Sequence, residues 1–347
     1  MFNNNIVENV TVRFIRQVVA QLVERCYLVA GFTIPKVVSL VLIIGLILTN
    51  FAGCNHKLDR PIKLGYLNIS ASLPFFVIQE QKSFEQANIK FESTVFQTSN
   101  QLVDALAASQ IDFIVEASLV PVLAREGKSP GKILIFAYSD ISPERPFDAI
   151  VSNNPAVKEL KDLEGKKVGV FPGSTSQRLL KSFLESKGVK TENITFIQII
   201  PPNMLASLES GYIDALHTYE PTTTIALKTG KTHEVFGTVY GNMQHHNPQG
   251  VACVNKEFYT KYTKKAKKVI KIFEDSFKYI EQNEKEAKKI LAKYTGLDES
   301  VALESGLLYF LPAGDVNASV YIEYANTLKS LGEIESIVPY ESISILK

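Results

Sequence analysis

The sequence predicts an α/β fold built from two similar units, followed by a helical C-terminal segment. Three observations lead there. Short β-type runs alternate with longer α-type runs from Ile62 onward, the same rhythm restarts near Phe147, and beyond Asn255 the chain reads as nearly continuous helix. Alternation of this kind builds a mainly parallel sheet with helices covering its faces.

In order, Ile62–Leu67 reads as a strand, Leu73–Gln86 as a helix and Ile89–Phe96 as a strand. Asn100–Ser109 (LVDALAAS) is helical, Asp112–Val115 a strand, Leu119–Glu126 a helix ending at Gly127, and Lys132–Tyr138 a strand. In the second unit Ala149–Ser152 is a strand, Pro155–Leu163 a short helix, and Lys167–Phe171 a strand running into Pro172-Gly173. Ser174–Lys187 is a helix closed by Gly188, Thr195–Ile199 a strand, and Asn203–Ser210 a helix stopped by Gly211. Glycine just past a periodic run is the usual helix stop. Ile213–His217 is a strand, Pro221–Lys228 a helix and Val251–Asn255 a last strand. Helices then follow over 261–293, 298–309 and 318–331.

The composition excludes several functions. Of 347 residues 46% are hydrophobic and 21% charged, enough apolar material for a sizeable core. Lys+Arg is 37 against Asp+Glu 36, so no basic footprint for nucleic acid is present. Cys26, Cys54 and Cys253 can make neither a disulfide framework nor a four-cysteine zinc site. Gly-rich phosphate loops of the common kinds are absent.

The N-terminus is the exception to this even composition. Lys36 precedes an apolar run over Val37–Leu48, and small residues Ala52-Gly53 stand directly before Cys54. A basic residue, a short apolar stretch and small residues are the signature of a secretory signal, and the run is short for a bilayer span of roughly 20 residues. Phe51-Ala52-Gly53-Cys54 resembles the lipobox of bacterial lipoproteins, apart from Phe51 at a position usually aliphatic. The resemblance implies lipidation at Cys54 and acyl chains that hold a water-soluble body at the membrane. Residues 1–33 carry helically spaced Ile6, Val10, Phe14, Val18 and Leu22 and are long for a signal's leading region. Cleavage before Cys54 leaves 33 basic and 34 acidic residues, a net charge of −1. Attraction to an anionic solute must then be local.

Leu160–Ser174, LKDLEGKKVGVFPGS, and Leu205–Pro221, LASLESGYIDALHTYEP, carry a family resemblance. With IKLGYLNIS, QLVDALAASQIDF and GVACVNKEF in order, the chain from Ile62 to Leu311 resembles solute-binding proteins of ABC importers, in the group that binds nitrate, sulfonates, taurine and thiamine precursors. The resemblance implies a two-lobed, periplasmic-binding-protein-like clamshell with two chain crossings, expected near Ile150–Asn153 and Val251–Asn255. Residues 1–53 would be extension and signal, 54–60 a tether, 61–150 with 255–347 the first lobe and 151–254 the second. It further implies a monomer outside the cytoplasm that delivers a small organic solute to a membrane permease, with no cofactor, no metal and no catalysis.

In open α/β sheets, ligands lie beyond the carboxyl ends of the strands. Five loops meet that description: Asn68–Ser72, Gln97–Asn100, Glu116–Ser118, Gly173–Ser176 and Tyr219-Glu220. The candidate ligand residues are Asn68, Ser70, Ser99, Asn100, Glu116, Gly173, Ser174, Thr175, Ser176, Tyr219 and Glu220. Gly173–Ser176 can either cap the following helix or present its first N–H groups to an anion. Glu220 can accept from a substrate amine or cap the helix that Pro221 starts, and Glu116 has the same two choices. Two ionised acids repel a plain anion and favour a zwitterion, an amine or a neutral heterocycle. Tyr66, Phe75, Phe76 and Tyr219 are either stacking walls or core, and the chain has no Trp.

Catalytic motifs are weak. Adjacent His245-His246 diverge in an extended segment and chelate poorly, and His217 and His233 complete no ligand pattern. Cys253 sits in an apolar strand as an inert thiol. A thiamine-precursor synthase of related fold carries a cysteine-rich motif that this chain lacks. A sensor lipoprotein without a transporter is the other alternative.

Overall fold

The computed structural model describes residues 60–346; the signal-like segment, Cys54 and the tether up to residue 59 lie outside the described residues. The strands are β1 (Ile62–Leu67), β2 (Phe91–Phe96), β3 (Phe113–Ser118), β4 (Ile133–Asp140), β5 (Asp148–Ser152), β6 (Lys167–Val170), β7 (Thr195–Gln198), β8 (Ala215–Tyr219), β9 (His233–Gly237), β10 (Gly250–Asn255) and β11 (Tyr309–Pro312). They form two sheets, in the orders β11-β4-β10-β3-β1-β2 and β7-β6-β8-β5-β9. β3 reads FIVEAS and is buried along nearly its whole length, as a strand covered on both faces must be. Gly65 in β1 and Gly169 in β6 occupy matching places. A Cβ there would stand 2.5 Å from Ile111 and 2.6 Å from Ile213 respectively, so both strands need glycine for close packing.

The sheets are mixed rather than mainly parallel. β1 runs parallel to β2 and β3, and β6 to β7 and β8, whereas β10 is antiparallel to β3 and β4, β11 to β4, and β5 to β8 and β9. The antiparallel members are the strands that arrive from the other unit or close the sheet, and strand-helix alternation carries no information on their direction.

The crossings also lie outside the expected segments. Asp148–Ser152 already belongs to the second sheet and Gly250–Asn255 to the first, so the chain passes between sheets over 141–147 and 238–249. The two passes pair with each other: the Ile141 N–H donates to the Asn247 carbonyl (3.3 Å) and the Asn247 N–H to the Ile141 carbonyl (2.8 Å). Apolar strand ends such as Val151 and Val251 look alike whether they cross or pair, which is why the sequence misplaced them.

Among the helices, Leu73–Gln86 breaks into Leu73–Glu80 and Ser83–Gln86 at Lys82, whose φ is +54°. The 261–293 stretch divides at Asn283 into Thr263–Gln282 and Glu284–Thr295. Pro155–Leu163 condenses to a single 3-10 turn, Leu160–Leu163. Phe84, Phe113, Phe136 and Phe273 are almost fully buried and pack edge-on or tilted. Burial of such a ring contributes about 1.5–3 kcal/mol.

Beyond β11 the chain does not simply trail along the first sheet. Ile345 N–H donates to the Ile135 carbonyl (2.8 Å) and the Tyr138 hydroxyl pairs with Ser344 Oγ (2.6 Å). Yet Gln244 Nε2 donates to the Val320 carbonyl (2.7 Å), and Arg178 of the second unit donates to the Leu331 carbonyl (2.9 Å). The C-terminal segment therefore ties both sheets.

Candidate functional site

A hydroxyl closes the turn beyond β1, and another ties the segment after β2 to the end of β3. Ser72 Oγ donates to the Leu67 carbonyl (2.7 Å), closing the 3-10 turn Ser70–Ser72 in which Ser70 is buried. Thr98 caps helix Ser99–Ala107, and Ser99 Oγ accepts from the Ser118 N–H (3.1 Å). Asn68 and Asn100 are exposed at the rim.

Glu116 stands apart from these. It is 7% exposed, and its Oε2 has no hydrogen-bond partner among the described residues. It does not cap the helix that follows, whose first residue is Leu119. Gly250 lies opposite, where a Cβ would approach Glu116 Oε1 to 3.0 Å and Ser139 to 3.3 Å; the Gly250 N–H donates to Ser139 Oγ (2.6 Å). Burial without a cation or a donor penalises the ionised form and raises this carboxyl from about 4.5 to about 7.

The second sheet supplies an aromatic wall. Tyr219 ends β8, stacks on Tyr240 with centroids 5.8 Å apart and shares a hydroxyl hydrogen bond with it (2.8 Å). Phe171 meets Tyr219 edge-on at 4.6 Å. Behind them Asp148, buried at the start of β5, accepts from the Tyr240 N–H (3.3 Å) and Thr238 Oγ1 (3.3 Å), and pairs with His217 Nε2 (2.9 Å). Asp148 thereby fixes the second crossing to the sheet.

The Gly173–Ser176 turn is largely engaged internally. Gly173, at φ +107°, suits a residue without Cβ and donates its N–H to Gln198 Oε1 (3.0 Å). Ser176 Oγ donates to the Phe171 carbonyl (2.8 Å), Thr175 Oγ1 donates to the Glu333 carboxylate, and Ser174 opens the helix. Glu220 accepts from the Thr224 N–H (3.2 Å) at the start of helix Thr222–Lys228. Burial first, opposed by its bonds to Thr224 and Gly306 and by the charge of Lys288, raises its carboxyl. Glu220 thus serves the helix that follows as a cap.

Of the aromatic candidates, Phe75 and Phe76 are core, and Tyr66 leans on both. Phe171 and Tyr240 were missed. Phe171 directly precedes the Pro172-Gly173 turn and had a readable signal; Tyr240 lies in a crossing segment with no periodicity. His246 Nδ1 pairs with Asp140 (2.6 Å), which also meets Arg145 (3.2 Å). No cluster of three or more His, Cys, Asp or Glu suited to a metal occurs among the described residues. Cavities of about 340 Å³ beside Lys132, Lys256 and Lys261, and about 700 Å³ beside Phe96, Gln101 and Arg125, are lined by neither Glu116 nor Tyr219.

Two mixed sheets joined by a double crossing define a two-lobed architecture of the periplasmic-binding-protein type. The chain belongs to the NMT1-like family, whose model matches residues 56–296. It is similar to a Bacillus subtilis protein named as an aliphatic sulfonates-binding protein, 25% identical over 73% of this chain and 75% of that one. The fold matches the Escherichia coli periplasmic aliphatic sulphonate-binding protein SsuA, with a TM-score of 0.68 at 19% identity over 82% of this chain and 91% of that one. It also matches the Xanthomonas axonopodis alkanesulfonate-binding protein SsuA bound to MOPS, with a TM-score of 0.66 at 19% identity over 83% and 98%. Among the described residues no helix is long and apolar enough to cross a membrane.

Proposed function

We propose that the protein captures an aliphatic sulfonate or a closely similar organic oxyanion between its two lobes and delivers it to an ABC importer outside the cytoplasm. The lobes in this reading are the two sheets with their helices, hinged at the paired crossings. The acyl group of a lipidated Cys54 would hold the monomeric body at the membrane.

Glu116 carries the reading. A buried carboxyl with an oxygen left without a partner has its hydrogen-bonding capacity reserved for something else. Because it titrates near 7 rather than near 4.5, it holds a proton at neutral pH about half the time and offers an O–H to a sulfonate oxygen. The repulsion expected from an ionised acid is thereby removed, and the objection to an anionic ligand falls. In this reading the Tyr219 ring, backed by the buried Tyr240 ring, would cover the alkyl part, and Ser70 and Ser99 would border the opposite side.

The test is a thermal-shift panel of alkanesulfonates, alkylamines and pyrimidines on the purified body, with calorimetry on any hit. Binding to the native state raises the melting temperature. Sulfonates should be the class that does so. Stabilisation by amines instead, or steady chemical conversion of a hit, overturns the proposal.

A further inference from the structure

Arg178 lies one turn beyond the Gly173–Ser176 turn, on the 13-residue helix Ser174–Ser186. Arg178 and Thr175 together hold a carboxylate that comes from elsewhere in the chain. Thr175 Oγ1 donates to one oxygen of Glu333, and Arg178 Nη1 lies 3.1 Å from the other. The Glu333 side chain is 6% exposed, so this carboxylate is withdrawn from water and seated on a hydroxyl, a guanidinium and the start of a helix. Gly332, at φ +71°, makes the turn that presents both the Leu331 carbonyl and the Glu333 carboxylate to Arg178.

Glu333 is anchored on the other unit. Its segment runs on through buried Ile334, Val338 and Tyr340 to the bonds at Ser344 and Ile345 on β4.

We propose that Thr175 and Arg178 form an oxyanion subsite and that Glu333 is its internal occupant, displaced when a ligand's sulfonate or an inorganic oxyanion arrives. The chemistry is shared: each presents two or three acceptor oxygens to a hydroxyl and a planar guanidinium. Occupation by Glu333 holds the second unit against the C-terminal segment without ligand. A ligand must compete with it, so the observed affinity is the intrinsic one reduced by the fraction of molecules in which the subsite is free. A latch closed in about nine molecules of ten weakens apparent binding about tenfold. The subsite stands on its own contacts; only the nature of the group attached to the oxyanion rests on the function proposed above.

The experiment titrates the mature chain with inorganic sulfate and, separately, with pentanesulfonate, in wild type, Glu333→Gln and Glu333→Gln/Arg178→Gln. Circular dichroism confirms the fold of each. Glu333→Gln should bind sulfate about tenfold more tightly than wild type, and the double variant should lose that gain. In wild type, sulfate should speed amide hydrogen exchange over 331–334, which an inert structural contact would not do. Unchanged or weaker sulfate binding in Glu333→Gln, absence of sulfate binding to it in the millimolar range, or a gain that survives loss of Arg178 overturns the proposal. Sulfate responding as stated while pentanesulfonate binds nowhere supports the subsite and sinks only the sulfonate reading.

Discussion

Substituting Glu116 by Gln should make the folded protein more stable than wild type above pH 7, and the difference should shrink to under about 1 kcal/mol near pH 5. The magnitude follows from burial. The carboxyl is 7% exposed, one oxygen is without a partner, and its pKa rises from about 4.5 to about 7. A pKa raised in the folded state means that the native protein holds a proton the unfolded chain has released, between these two values. Stability therefore falls as pH climbs through that window, and the loss is complete above it. A shift of this size corresponds to about 3 kcal/mol. For a body of this size that is about 5 °C in Tm. Glutamine is neutral throughout and pays no such penalty, while Glu220 and every other titrating group is common to both proteins and cancels in the difference. Melting curves from pH 5 to 8.5 measure it. A difference that is the same at every pH would show that Glu116 is not desolvated, and would refute the argument from which its ligand role is drawn.

Metabolic labelling with a radioactive fatty acid should mark the wild type and not Cys54→Ser; equal labelling of both removes the lipid anchor. Asp148→Ala should cost about 3–5 kcal/mol in urea melts, since it strands His217, Thr238 and the Tyr240 N–H in the interior at the point where the second crossing is fixed. A loss below about 1 kcal/mol would mean the crossing is held without it.

The sequence made the strand-helix rhythm legible because burial imposes a period on it. β1, β2, β3 and β8 fall where the sequence places strands, and their carboxyl ends or the turns just beyond hold Ser70, Ser99, Glu116 and Tyr219. What depends on pairing partners was not legible. β9 has half-buried Val235 and Phe236 and no clean alternation, and β11, YFLP, sits among helices. Neither strand announces itself without the edge it completes. The same holds for the site. Glu333 is an ordinary acid after a helix until the fold brings it to Arg178, 155 positions away in the chain by their numbers. His217 read as isolated for the same reason, its partner Asp148 being 69 residues distant.

Glu116, which counts against an anionic ligand only while ionised, can be made to report on the ligand's charge. A carboxyl that titrates near 7 donates when protonated and accepts when ionised, so the ligand chooses its state. A sulfonate has only acceptor oxygens at any pH used here and stabilises the protonated form; its binding must take up a proton whenever Glu116 was ionised beforehand. An amine stabilises the carboxylate and must release one. Gly250 and Ser139 lie across from Glu116, and the Cys253 thiol is itself raised by burial and stays neutral. Calorimetry of pentanesulfonate binding at pH 8 in two buffers of different ionisation enthalpy should show uptake approaching one proton, falling to about zero at pH 5.5, and vanishing at both in Glu116→Gln. Equal heats in the two buffers at pH 8 would mean that the ligand does not touch this carboxyl, and proton release would make the ligand's recognised end a cation.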